Sequence, residues 1–222
     1  MAVITISRQF GSGGKQITRR VCELLGYRYF DKELIAQVAT EVGLSEHEAI
    51  DFSEEHYKGK RLMDRLLYPA PYTVAHVPTW RQDESGAESF SVTHLDEAKF
   101  VNLVRGIILA AYDRGNVVIL GRGGQAVLAN MLDVLHVRIE APWDVRVGRV
   151  QEREHLAFET ARQMVAERDR IVAKYLNDLF KVQPDDPQWY HLILNTGKWS
   201  LEAAAQLIVT AVNQLQPEPV AV

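Results

Sequence analysis

The chain has 222 residues, 47% hydrophobic and 24% charged, with a net charge of −4 and a pI of about 6.0. That is enough chain for one substantial core, and the balance offers no general basic field for nucleic acid or an anionic membrane, so any anion site has to be local. The single cysteine, Cys22, has no internal disulfide partner, no apolar run approaches the roughly 18 residues of a membrane span, and MAVITISRQF lacks the basic start of a signal peptide, so a reduced, cytoplasmic setting is expected.

Residues 2–6, AVITI, predict a strand buried on both faces. A glycine-rich turn covers 7–14. From Lys15 the apolar positions Ile17, Val21, Leu24 and Leu25 take helical spacing, and Gly26 ends the helix. YRYF, 27–30, predicts a second strand, and Asp31 stands as N-cap to a helix with Leu34 and Val38 inward. Ser45 with Glu48 forms a capping box, and KGKRLMDRLLY predicts one more short helix. The stretch 69–91 has Pro69, Pro71 and Pro78 and little periodicity, which predicts a long functional loop or flap. A helix is expected over about 95–113 and a strand at NVVIL. GRGG follows, then a short helix at QAVLANM. VLHVRIE predicts a strand, WDVRVGRVQERE and 158–180 helices, YHLILNT the last strand and SLEAAAQLIVTAVNQL the last helix, with Ser200 as N-cap and a frayed tail beyond. Strands alternating with helices imply an α/β domain over 1–222, with a parallel sheet of about five strands and helices on both faces. Ligands in such sheets sit at the carboxyl ends of the strands.

The turn SRQFGSGGK carries the chemistry. A phosphate loop needs glycines that let backbone amides face an anion, a helix N-terminus and a lysine for the outer phosphates. Gly11, Ser12, Gly13, Gly14 and Lys15 supply these between a buried strand and an amphipathic helix. The consensus G-x-x-x-x-G-K-[ST] puts Gln9 where its first glycine belongs and Gln16 where its metal-binding hydroxyl belongs. Ser12 or Thr18 is then the candidate metal ligand. The alternative is a plain glycine-rich turn with a solvated lysine.

ITISRQFGSGGKQI resembles the opening of the cytidylate kinase-like family of P-loop proteins. YRYFDKELI is similar to that family's second-strand segment, VVILGRGGQAVL to its Gly-Arg-Gly strand, and DVRVGRVQERE with ERDRIVAKYL to its arginine-bearing lid. YHLILNTGKWSLEAAAQLI is similar to its final strand and helix. The resemblance implies a P-loop, three-layer nucleoside monophosphate kinase fold with a helical acceptor-binding insertion at about 40–93 and a lid at about 146–180. It implies transfer of the γ-phosphoryl of ATP, with Mg²⁺, to a small acceptor such as CMP or dCMP. Cytidylate kinases read Asp-Gly-Arg-Asp where this chain has Leu120, Gly121, Arg122 and Gly123, so a strand-end carboxylate and an acceptor contact are absent. The Arg168–Asp169 pair matches theirs, whereas Val172 replaces an Asp and Lys174 an Arg.

Arg146, Arg149 and Arg153, spaced three and four apart, share one helical face, and Arg168 and Arg170 follow. Such a cluster clamps phosphates when a lid closes, Arg146 on ATP, Arg149 and Arg153 at the transition state and Arg168 toward the acceptor. Its alternative is a solvated helix paired with Glu140, Asp144, Glu152, Glu154 and Glu167. Arg122, between two glycines at a strand end, is either set for the acceptor phosphate or a strand-end arginine facing solvent. Asp31 either serves catalysis and acceptor binding at the same sheet edge or is a plain N-cap. Arg8 and Lys32 either add positive charge at the rim or are plain surface charges, the seven histidines lack zinc spacing, and Trp143, Trp189 and Trp199 read as packing. Two other functions share these features: a non-catalytic nucleotide-binding module, and a kinase for a sugar or cofactor precursor. The long loop leaves a homodimer open.

Overall fold

The computed structural model describes residues 2–30, 75–82, 88–95 and 97–215, with side chains over 2–30 and 101–215. Asp31, Lys32, the capping box at Ser45 and the helix at 58–68 lie outside the described residues.

Five strands form a parallel sheet in the order β2-β5-β1-β6-β7. They are β1 (Val3–Arg8), β2 (Arg28–Phe30), β5 (Val117–Leu120), β6 (Val134–Glu140) and β7 (Leu192–Asn195). β1 is central, and its continuous β-branched sequence suits a strand covered on both faces. It runs two residues past the apolar run, because Ser7 and Arg8 keep parallel register with Arg138 and Ile139.

Helices α1 (Gly14–Leu25) and α6 (Leu201–Asn213) cover one face. There Ile4, Ile6, Val118, Leu135, Val137 and Ile139 of the strands meet Ile17 and Val21 of α1 and Ala204, Ile208 and Val212 of α6. Gly26, at φ 68°, ends α1, and Ser200 caps α6 by accepting the Ala203 N–H. Cys22 is buried in this layer, and burial pushes its thiol up to about 11. The other face is covered by α2 (Glu97–Arg114) and the short α3 (Gly124–Val127), with the π-helical turn Leu176–Phe180. Val104, Ile108, Leu128, Tyr175 and Phe180 fill that side against Val3, Val117, Ile119 and Val134. Helices α4 (Trp143–Glu154) and α5 (Phe158–Tyr175) pack on each other through Val147, Val150, Ala161 and Val165, with Phe10 of the glycine-rich turn against them.

The expected loop at 69–91 is corrected: β3 (Ala75–Gln82) and β4 (Glu88–Leu95) form an antiparallel hairpin in register from Ala75↔Leu95 to Gln82↔Glu88. Pro78 hid it, since proline weakens a strand reading. Among the described residues β3 and β4 pair only with each other, and the outer edge of such a ribbon tolerates proline because it has no partner to donate to. Trp143 and Trp199 are also less buried than a packing role predicts, at 39% and 48% exposed.

Candidate active site

The glycine-rich turn leaves the carboxyl end of β1 and enters α1 directly. Gly11 and Gly13 take φ values of 82° and 86°, the left-handed region that glycine alone enters without cost. Space demands glycine as well. A Cβ on Gly11 would lie 2.7 Å from the Arg146 carbonyl oxygen, and one on Gly14 would lie 2.7 Å from Arg8 Cβ. Lys15 and Gln16 begin the helix, both exposed. The turn therefore has the strand, the positive-φ glycines, the helix start and the lysine of a phosphate cradle.

Gln9 occupies the position of the consensus first glycine, and its side chain has work there. Gln9 Oε1 accepts the Ala141 N–H at 3.1 Å, the Gln9 N–H donates to Ile139 O at 3.0 Å, and Gln9 O accepts the Ser12 hydroxyl at 2.8 Å. The amide thus ties the turn to the end of β6, a job a glycine could not do.

The predicted arginines converge on this turn. Arg146, 5% exposed, donates through Nη1 to Phe10 O at 3.1 Å and to Asp169, and through Nε to Ala141 O. Arg149 Nη1 donates to Ser12 O at 3.2 Å. Arg153 and Arg168 lie 5.4 and 5.9 Å from the centre of the Phe10 ring, close enough for cation–π attraction. Arg146 and Arg149 are thus braces on loop carbonyls, while Arg153 and Arg168 flank the loop's aromatic residue. Arg170 instead pairs with Glu167 on an exposed face, as the solvated-helix alternative expects.

Arg122 stands just past β5. Gly121 N–H donates to Ile6 O at 2.9 Å, so Arg122 lies one residue beyond the pairing of β5 with the loop-bearing strand. It is 5% exposed with φ 62°, between Gly121 and Gly123, also left-handed. A non-glycine residue held there costs about 1–2 kcal/mol, and such strain concentrates at functional sites. Phe180 fixes the turn from outside, because a Cβ on Gly123 would lie 2.7 Å from its ring.

Ser12, the expected metal ligand, points into the turn. It is fully buried and its hydroxyl donates to Gln9 O. Thr18 is buried too and donates to Gly14 O at 2.7 Å. No group of three His, Cys, Asp or Glu among the described residues is placed to hold a metal ion.

Two contributors carry roles that the sequence did not assign them. Asp169 Oδ1 accepts the Phe10 N–H at 2.9 Å. Thr196, just past β7, donates its hydroxyl to Ser12 O at 2.7 Å. The first was visible as half of an Arg-Asp pair without a partner; the second was one hydroxyl at a strand end, with no pattern to mark it.

Residues 3–198 match the cytidylate kinase-like family. Cytidylate kinase of Pyrococcus horikoshii is 29% identical over 216 residues, covering 97% of this chain and 90% of that protein. That of Thermococcus sibiricus is 27% identical over 219 residues, with the same coverage. Among solved structures, an uncharacterized protein from Eubacterium ventriosum superposes with a TM-score of 0.65 at 20% identity, covering 96% of this chain and 99% of that one. Shikimate kinase from Acinetobacter baumannii superposes with a TM-score of 0.50 at 14% identity, covering 97% and 96%. These two likenesses concern the fold, a parallel five-stranded sheet with helices. With the match over 3–198, the chain belongs to the cytidylate kinase-like family.

Proposed function

We propose that this protein transfers the γ-phosphoryl group of ATP to a small phosphate-bearing acceptor of the nucleoside monophosphate type, with CMP and dCMP first among the candidates. The observation that carries the reading is the turn at Gly11–Lys15, with its left-handed glycines opening a helix and its arginines gathered around it.

Lys15 and the amides of Gly13, Gly14, Lys15 and Gln16 bind the ATP phosphates. Arg153 and Arg168, held beside Phe10, swing inward to neutralise charge on the transferring group, and Arg146 and Arg149 keep the loop in shape. This division supports positioning and electrostatics, which carry most of phosphoryl transfer. Arg122 takes the acceptor phosphate, and Asp31 positions the acceptor hydroxyl or phosphate. Cytoplasmic location follows from the same reading. Among the described residues no helix is long and apolar enough to cross a membrane.

The test is ATP consumption with a panel of nucleoside monophosphates, for wild type and Lys15→Ala. Turnover with one acceptor, lost in the variant, supports the kinase. Unchanged ATP affinity in Lys15→Ala sinks the cradle. Tight ATP binding without turnover on any acceptor favours the second reading, a nucleotide-binding module. The inward hydroxyls of Ser12 and Thr18 and the apolar Leu120 at the end of β5 speak for that reading.

A further inference from the structure

Thr196 is 3% exposed and binds three partners at once. Its hydroxyl donates to Ser12 O at 2.7 Å, with Glu140 O at 3.2 Å as the weaker alternative for the same proton. The hydroxyl oxygen accepts from Arg149 Nη1 at 2.8 Å, and Arg149 Nη2 donates to Thr196 O at 2.8 Å. The Thr196 N–H donates to Glu140 O at 2.8 Å, which roots the knot in the end of β6. The turn around it is stiff. Asn195 Oδ1 accepts the Gly197 N–H at 2.9 Å, and a Cβ on Gly197 would lie 2.4 Å from Pro142 Cδ.

Thr196 and Arg149 thus pull one carbonyl, that of Ser12, toward the protein. In a trans peptide the C=O of one residue and the N–H of the next point in opposite directions. Holding Ser12 O inward turns the Gly13 N–H outward, toward the open side of the turn where an anion docks. Gly13 itself, at φ 86°, has no preference of its own for that orientation, because glycine enters several regions at similar cost. The aim of the amide has to come from outside the turn.

We propose that Thr196 is a positioning residue of the phosphate loop, fixing the Ser12–Gly13 peptide so that its N–H faces the nucleotide phosphates. The inference rests on the reading of that turn as a phosphate cradle. Thr196 touches no substrate and acts through the peptide it holds. The hydroxyl alone is needed, so serine substitutes and valine, of the same shape, does not.

The experiment compares wild type, Thr196→Val, Thr196→Ser and Arg149→Lys, which keeps the charge but loses the two-pronged grip. Amide hydrogen exchange over residues 11–16 is read in the ligand-free protein, and ATP affinity by calorimetry. Exchange there in Thr196→Val and Arg149→Lys is expected to rise about tenfold and ATP affinity to fall about tenfold, the size of one lost hydrogen bond. Thr196→Ser is expected to stay near wild type in both. Wild-type exchange and affinity in Thr196→Val, or a Thr196→Ser variant as impaired as the valine, overturns the inference. If the wild type binds no ATP, the proposed function fails, and the exchange comparison still decides the role of Thr196.

Discussion

Asp169 on α5 accepts the backbone N–H of Phe10 at 2.9 Å, across 159 residues of chain, while its second carboxylate oxygen pairs with Arg146 on α4. One carboxylate thus joins the phosphate loop and both helices of the arginine-bearing region. The α4–α5 pair is thereby fastened to the loop, and Arg153 and Arg168 both lie over the ring of the residue that Asp169 holds.

Asp169→Ala is therefore expected to be costly twice. It leaves the nearly buried Arg146 guanidinium without its counter-ion and the Phe10 amide without its charged acceptor. Hydrogen bonds to charged groups contribute about 1.5–3 kcal/mol each, and Asp169 is partly exposed, so a loss of about 2 kcal/mol is expected. Urea unfolding measures it. Wild-type stability in the variant would show that the junction carries no load.

The two left-handed glycines of the loop differ in what surrounds them. A Cβ on Gly11 meets the Arg146 backbone oxygen at 2.7 Å, whereas one on Gly13 meets a terminal methyl of Leu201, which can rotate away. Both substitutions carry the left-handed penalty of about 1–2 kcal/mol. Only Gly11→Ala adds a clash with backbone, which brings its expected cost to about 3 kcal/mol. ATP affinity and thermal melting of the two alanine variants check the order, and a Gly13→Ala variant worse than Gly11→Ala would refute it.

Much of this arrangement was legible in the sequence, and the reasons differ by element. The sheet was plain because β1 and β5 carry near-continuous apolar, mostly β-branched runs, which is what a strand covered on both faces requires, and β6 sets Val134, Leu135, Val137 and Ile139 close together. The loop was plain because three glycines and a lysine stood between a strand and a helix. Spacing puts Arg146, Arg149 and Arg153 on one face, but it could not say that the first turns inward and the last stays exposed. That depends on Asp169 and Phe10, which come from distant segments. Gln9 looked like a defect in a motif. Its value appears only when the Ala141 amide arrives from β6. The β3–β4 hairpin was missed because Pro78 outweighed the β-branched and aromatic residues around it.

Cys22 sits between α1 and the sheet, and burial, with a smaller contribution from neighbouring Glu23, pushes its thiol up to about 11. Thiolate is the reacting form, so about one molecule in a thousand is reactive at pH 8. Modification by an aromatic disulfide reagent is expected to be far slower in the native protein than in urea. Equal rates in both would mean that the α1–sheet interface is open in solution.

His136 lies in the middle of β6, 3% exposed, with Nδ1 hydrogen-bonded to Thr5 Oγ1 at 2.7 Å and its ring 4.9 Å from that of His191. Burial first, and then the neighbouring His191, lower its pKa to about 4. Between that value and the ordinary 6.5 of an unfolded histidine, the unfolded chain binds the extra proton and the folded chain does not. Stability therefore falls as pH drops through this window, by about 3 kcal/mol in full and about 2 kcal/mol by pH 5. His136→Asn keeps a polar partner for Thr5 and removes the titration. Urea unfolding at pH 7 and pH 5 should give a difference about 2 kcal/mol smaller in the variant than in the wild type. An equal difference in both would assign the acid sensitivity to other groups and leave His136 without the role.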